Sequence, residues 1–443
     1  MQETIAADLD AAPAPRHSVR KVLALGAGNT LEWFDWGVYS TMLPFFSGYI
    51  FGGDPTAAVL QGLGVFAAGF VARPLGGLVF GVIADRYSRM TSLILTIICV
   101  AVGCLGVAFL PSHAAFGILP AVLLLLLRIL QGFGQGGELP SLQVYVAENA
   151  PRHRVGLWSS MIYVSGNVGV IAGMILGATL TSLMSADDLR EWGWRIPFAV
   201  GGALGLVAIG IRLSMGRDDD GTSGPRRVDA ATLLRTFVAD RAALVRITFI
   251  VAGSTVAIYA WGNSASTFAI SFGHITPKTA LWAAVAAYST SAAFFPIWGW
   301  LGDRTDFRKV MIVGAAAVTV GSIPVNMALS GSAVNLYLAM IAMIIPINTI
   351  QALEPVFMSL MLSPAARATG VGITYSSVAA VLGGTAPYIR AWTHEHLNDM
   401  VFSGYVTVMA AGALVALLLS PSVRATPRRA EVDDSATARV AAG

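Results

Sequence analysis

Gly81-Val-Ile-Ala-Asp85-Arg86, followed by Arg89, returns 218 residues later as Gly299-Trp-Leu-Gly-Asp303-Arg304, followed by Arg308 and Lys309. Each copy sits on a polar break between two long apolar stretches, at matching places in the two halves of the chain. A repeated Gly-xxx-Asp-Arg at the end of a hydrophobic segment marks a duplicated membrane bundle. The copies are not identical: the second has one more residue before its basic pair, and Met90 stands where the second copy has Lys309.

The composition agrees. Only 12% of the 443 residues are charged and 55% are apolar, with a mean hydropathy of +0.69. Soluble domains carry roughly 25% charged residues, so the chain reads as a polytopic membrane protein. Its net charge of +3 is too small to imply a nucleic-acid partner. Cys99 and Cys104 share one apolar stretch but point to different faces of a helix, so neither a disulfide nor a metal site is expected. No cofactor is expected either.

A span needs about 20 apolar residues. Cutting at polar breaks gives twelve: 22–50, 57–84, 90–110, 116–147, 155–183, 196–215, 243–271, 280–302, 309–328, 335–362, 367–391 and 401–420. The fold class is therefore all-α, with twelve transmembrane helices in two six-helix bundles. The bundles are expected at 22–215 and 243–420, joined by a cytosolic linker at 216–242 that holds Arg217-Asp218-Asp219-Asp220. Residues 1–21 and 421–443 read as cytosolic tails. Of the 28 Lys and Arg residues, 22 fall in the tails, in the loops this topology places inside or at the cytosolic ends of spans; Arg190, Arg195 and Lys278 fall outside, and Arg73, Arg128 and Arg390 deeper within spans. That positive-inside bias puts both termini in the cytosol. Arg supplies 25 of the 28, which hints at a GC-rich bacterial genome and hence a bacterial inner membrane.

Ionisable groups at membrane depth are the functional candidates, since each costs at least about 2.5–3.5 kcal/mol to insert. The first span holds Asn29, Glu32 and Asp35 among Trp33, Phe34, Trp36 and Tyr39; Glu32 and Asp35, three apart, share a helix face. At 1.5 Å per residue Asp35 lies about 20 Å into its span, and Arg73 about 18 Å from Asp85. Both are near mid-depth. Pro74 loosens the helix beside Arg73. The fourth span reads Arg128-Ile-Leu-Gln131-Gly132-Phe-Gly134-Gln-Gly136-Gly137-Glu138, an arginine and a carboxylate flanking glycines where another helix packs close. An arginine beside a carboxylate favours its ionised form, and helix movement that parts the pair changes its proton affinity. A proton-coupled carrier needs that property. Its plain alternative is a static pair tying the first and fourth spans together.

The coupling set is thus Glu32, Asp35, Arg128 and Glu138. The expected substrate wall comprises Arg73, Tyr39 and Gln131, faced by Tyr259, Trp261 and Asn263 of the seventh span, Glu354 of the tenth and Tyr375 of the eleventh. Gly81, Asp85, Arg86, Arg89 and Glu148, with Asp303, Arg304 and Arg308, are the gating candidates: a carboxylate or guanidinium at a helix end can pair with the neighbouring bundle and hold one conformation closed. Positive-inside anchoring is their simpler reading. Gly169, Gly173 and Gly177, four apart on the fifth span, read as a packing stripe.

With these residues in view, the chain resembles the major facilitator superfamily and, within it, the metabolite:proton symporter family. The matching stretches are Glu32-Trp-Phe-Asp35, Gly69-Phe-Val-Ala-Arg73-Pro-Leu-Gly-Gly77, Leu130-Gln-Gly-Phe-Gly-Gln-Gly-Gly-Glu138, Glu191-Trp-Gly-Trp-Arg-Ile-Pro-Phe198 and Gly383-Gly-Thr-Ala-Pro387. They cover most of the N-terminal half and part of the eleventh span. The C-terminal half departs from the pattern: Met361 stands where the family usually has a Glu, and Trp261-Gly-Asn263 replaces a Tyr- and Thr-rich seventh span. The resemblance implies import of a small organic acid or zwitterion with protons, Arg73 as carboxylate ligand, and Glu32, Asp35 and Arg128 in coupling.

The expected function is a proton-coupled importer of a small, α-ketoglutarate-like carboxylate, acting as a monomer in the bilayer by alternating access. The nearest alternative is symport of a zwitterion such as betaine or proline, with the aromatic first span holding a cation. A drug/proton antiporter is the second, against which stands the absence of a Gly-Pro motif in Gly166-Asn-Val-Gly169-Val-Ile-Ala-Gly173. A membrane enzyme would need a clustered His, Ser or metal constellation, and the sequence offers none.

Overall fold

In a computed structural model of the chain, residues 19–87, 89–136, 138–214, 230–273, 275–329, 331–363 and 367–424 are described, and their regular secondary structure is helical throughout. Helices stand at all twelve expected positions. Several are single rods: the first span is Val19–Phe51, the third Arg89–Ala108, the fifth Val155–Leu183, the ninth Phe307–Met327, the tenth Ala333–Met361 and the twelfth Asp399–Leu418. Helix Ala230–Ala239 occupies the end of the expected linker, and the seventh span already begins at Arg241. Among the described residues, eight helices are long and apolar enough to cross a bilayer, and the sixth span adds a pair bent by 41°. The expected spans outside that group are the first, fourth and eleventh. Glu32 and Asp35 dilute the first, the apolar part of the fourth is only 17 residues long, and Arg390 and the polar end at His394–His396 dilute the eleventh. These three helices carry the buried Glu32, Asp35, Arg128 and Arg390.

The remaining spans are broken, and the breaks have causes. The second runs Pro55–Val71 and restarts as Arg73–Arg86, with Pro74 in the first turn of the new helix. Proline lacks an N–H and clashes with the preceding turn, so the rod parts at Ala72 and Arg73 opens the next segment. The eighth, Pro277–Ala292 and Phe294–Arg304, parts just before Pro296. The seventh passes through a wide π turn at Tyr259–Asn263 before Ala265–Ser271, and the eleventh, Arg367–Val378, does so at Ala379–Gly383 before Ala386–His396. Such turns shift the faces of a helix and cluster at functional sites.

Glycines set how close the helices come. A Cβ built on Gly132 would fall on the carbonyl of Gly69, one on Gly76 on that of Phe133, and one on Gly136 on that of Arg73. The second span and the fourth (Leu119–Gln135, then Glu138–Asn149) therefore touch backbone to backbone. The stripe on the fifth span does the same against the first: Gly169 faces the Thr30 carbonyl and Gly173 that of Phe34. Polar bonds fix that contact, with the Asn29 amide donating to Ile162 O and Ser165 Oγ at 2.8 Å each. Gly132→Ala is expected to destabilise the protein by about 1–3 kcal/mol through overpacking, read as a lowered Tm in detergent. Gly64→Ala, with open space around it, is the control and should not lower Tm.

The third and sixth spans pair with each other, as do the ninth and twelfth, and their main contacts stay within their own half. The halves meet along the first, second, fourth and fifth spans on one side and the seventh, eighth, tenth and eleventh on the other.

Candidate transport site

The close approach of the second and fourth spans brings Arg73 beside the first span. Its Nη2 lies 2.9 Å from Glu32 Oε1 and donates to Gln135 Oε1 at 3.2 Å. The guanidinium lies against the rings of both Trp36 (4.7 Å) and Phe70 (4.4 Å), which also touch each other at 4.1 Å. One turn along, Arg128 Nη1 lies 2.9 Å from Asp35 Oδ2, and Gln131 Nε2 donates to Asp35 Oδ1 at 2.8 Å. The Cys104 thiol donates to the same oxygen at 3.1 Å. Arg128 stacks on Trp36 (4.4 Å) and Tyr39 (4.2 Å), so Trp36 lies against both guanidinium groups. Its indole N–H donates to Gln135.

The two ion pairs differ in setting. Arg128–Asp35 is wholly buried, at 0% and 1% exposure, and enclosed by N-terminal residues. Arg73–Glu32 lies at the seam between the halves, where Tyr259 and Tyr375 of the second half stand within electrostatic reach of both charges. Tyr259 packs edge-on to Phe70 at 5.2 Å and Phe66 at 6.2 Å. Beside Tyr375 lies Glu354, 1% exposed, which accepts from Ser254 Oγ at 3.2 and 3.4 Å and has no cationic partner among the described residues. Tyr163 of the first half reaches toward Glu354 and Tyr375 and stacks on Phe295 of the second at 5.7 Å.

Not every expected wall residue faces this cluster. Gln131 belongs to the Asp35–Arg128 pair, and Tyr39 donates to the Gly62 carbonyl at 2.8 Å. Trp261 is the clear departure. Two residues on from Tyr259, it points to the opposite side of the helix, against Arg390 at 5.5 Å. The side chains of Glu138, Asn263, Asp85, Arg86, Arg89 and Glu148 lie outside the described residues. Sequence reading passed over Gln135, although it falls four residues after Gln131 and seven after Arg128, on one helix face. It also gave no sign of Cys104 or Ser254, whose partners come from other helices.

The second Gly-xxx-Asp-Arg copy crosses the seam. Asp303 accepts from the backbone N–H groups of Gly156 (2.6 Å) and Leu157 (2.9 Å), in the first turn of the fifth span. Free N–H groups at a helix start favour a carboxylate. Gly299 allows the approach, since a Cβ there would lie 2.6 Å from Gly156 O. Its neighbours turn elsewhere: Arg304 stacks on Trp300 of its own helix at 4.2 Å, and Arg308 donates to Ser420 O at 2.7 Å. Gly81 has open space about it, so the glycine of the first copy makes no such contact. At the opposite end of the seam Thr267 Oγ1 donates to Ser40 O, and Trp282 Nε1 to Ser182 Oγ at 3.3 Å.

This arrangement has known counterparts. The family model "Major Facilitator Superfamily" matches residues 25–384. The chain is 31% identical to the alpha-ketoglutarate permease of Escherichia coli over 91% of its length and 94% of the permease. It is 27% identical to the proline/betaine transporter of Salmonella typhimurium over 93% of this chain and 84% of that one. In fold it is similar to the proton:xylose symporter XylE bound to 6-bromo-6-deoxy-D-glucose, with a TM-score of 0.71 at 15% identity over 91% of this chain and 96% of the symporter. A multi-pass membrane transporter rather than an enzyme, the chain belongs to the major facilitator superfamily.

Proposed function

We propose that the protein imports a small organic acid, an α-ketoglutarate-like carboxylate, together with protons, by rocking two six-helix bundles about the Arg73 site. The supporting observation is the position of the Arg73–Glu32 pair: a guanidinium fork at the seam of the halves, held by one carboxylate and faced by two tyrosines of the other half. A substrate carboxylate docking on Arg73 competes with Glu32 for the same N–H groups. Once displaced, Glu32 loses the Arg73 counter-charge, and taking a proton lowers the cost of keeping it buried. Substrate and proton thus enter as a pair. In this reading Asp35, Arg128 and Gln131 hold Trp36 in place behind Arg73, which makes Glu32 the proton carrier within the coupling set.

In the same reading residues 22–215 and 243–420 are the moving bundles, acting as a monomer in a bacterial inner membrane with both termini in the cytosol. Asp303 then clasps the cytosolic end, and the Ser40–Thr267 contact closes the outer one. Asp303→Ala removes two hydrogen bonds to a charged acceptor, each worth about 1.5–3 kcal/mol. Maleimide labelling of a cysteine placed at Ser160, buried behind the clasp, should become at least about tenfold faster; an unchanged rate contradicts the clasp.

Glu354 favours a second reading. A buried carboxylate without a cationic partner, opposite a carboxylate-binding arginine, would suit a zwitterion, and relatives of that kind stand at 27% identity. Competition separates the two. Betaine or proline that fails to inhibit α-ketoglutarate uptake supports the organic acid. Uptake of either zwitterion, with α-ketoglutarate inert, supports the second reading.

A further inference from the structure

A third buried guanidinium lies away from the central site. Arg390, on the eleventh span, is 6% exposed and makes one hydrogen bond among the described residues, donating from Nη1 to the Ala260 carbonyl at 2.7 Å. Its other neighbours are rings: Phe268 at 4.1 Å, Trp261 at 5.5 Å and Phe402 at 5.9 Å. Asp399 is the acidic group whose charge acts on it, but that carboxylate is half-exposed and held by His394 Nδ1 at 2.7 Å. A guanidinium at this depth without a bound carboxylate is costly, and aromatic faces offset only part of that cost.

Arg390 does not merely fill space. It lines a small cavity between the halves, with Val59 and Leu63 of the second span on one side and Ser264, Thr267 and Phe268 of the seventh on the other. Thr267 makes the contact with Ser40 that closes this end of the seam. Parting of the halves at that contact would widen this cavity, and a fork of N–H donors stands in its wall. The π turn connects it inward. Ala260 and Trp261, which hold Arg390, directly follow Tyr259, which faces Arg73.

We propose that Arg390 is an outer docking site for a carboxylate, occupied when the seam at Ser40 and Thr267 opens and vacated as the substrate moves on to Arg73. The planar fork suits a carboxylate better than a point charge would, and the site would serve an organic acid and a zwitterion alike. The proposal deepens the transport reading and rests on it.

Purified protein in proteoliposomes tests this, with radiolabelled α-ketoglutarate and betaine as probes. Arg390→Gln is expected to raise KM for the transported probe about tenfold, as for loss of one charge-assisted contact, with kcat within about twofold. Arg390→Lys, which keeps the charge but not the planar fork, should recover only part of that loss. Leu63→Phe, which narrows the cavity in front of the guanidinium and keeps the charge, should also raise KM, and it carries the test if Arg390→Gln does not fold. A purely structural Arg390 would lower kcat or the yield of folded protein and leave KM alone. A KM within about twofold of the parent in either folded variant overturns the proposal. A parent that takes up neither probe overturns the transport reading and this site with it; a parent that takes up either one leaves Arg390 to be judged by its own KM.

Discussion

Arg73→Gln is expected to abolish carboxylate uptake in practice, lowering kcat/KM by about 2–5 kcal/mol, or roughly 30- to 4,000-fold. Two losses combine. The substrate loses its charged fork, and Glu32, 3% exposed, loses the guanidinium at 2.9 Å. Arg73→Lys keeps the charge but not the planar pair of donors or the contacts with the Trp36 and Phe70 rings, so it should fall between Gln and the parent. The measurement is initial uptake of α-ketoglutarate at equal amounts of reconstituted protein. If Arg73→Gln keeps KM and kcat within about twofold of the parent, the docking role is wrong, whatever the substrate.

Glu32→Gln should act in the opposite sense on binding. Substrate no longer competes with a carboxylate for Arg73, so KM should stay level or fall. Exchange of labelled for unlabelled substrate should persist, because the glutamine is neutral like protonated Glu32. Accumulation should disappear. One pH unit is worth about 1.4 kcal/mol for each proton carried, so a parent moving one proton per substrate concentrates it about tenfold across such a gradient at zero membrane potential. Glu32→Gln should equilibrate at a ratio of about one. A variant that still accumulates substrate places the proton elsewhere, with Asp35 the next carboxylate to examine.

The helical framework was legible because each bundle element is a long apolar run with a polar break, and both the twelve positions and the glycine contacts follow from that pattern. The charged residues were legible for a related reason. Glu32, Asp35, Arg73 and Arg128 are too costly at mid-depth to be incidental, and the structure brings them together as two pairs. Which arginine faces which carboxylate was not legible, since it depends on how closely Gly69 and Gly132 let two backbones approach. Trp261 was placed in the central wall with Tyr259 because both lie on the seventh span; two residues apart, they point to opposite sides of it, and Trp261 meets Arg390. Arg390, counted in the sequence only as a charge within a span, is buried among rings. The Asp-Arg repeat predicted a clasp between bundles. In the structure the bond across the seam is the Asp303 carboxylate on helix N–H groups, while Arg304 and Arg308 stay within their own half.

The most direct test of a proton-driven carboxylate importer is accumulation in proteoliposomes holding only this protein, with the membrane potential clamped. An acid-outside gradient should drive labelled α-ketoglutarate above its external concentration, by about tenfold per pH unit for each proton carried, and a protonophore should release it. Uptake that reaches only the external concentration, with or without the gradient, would contradict the account.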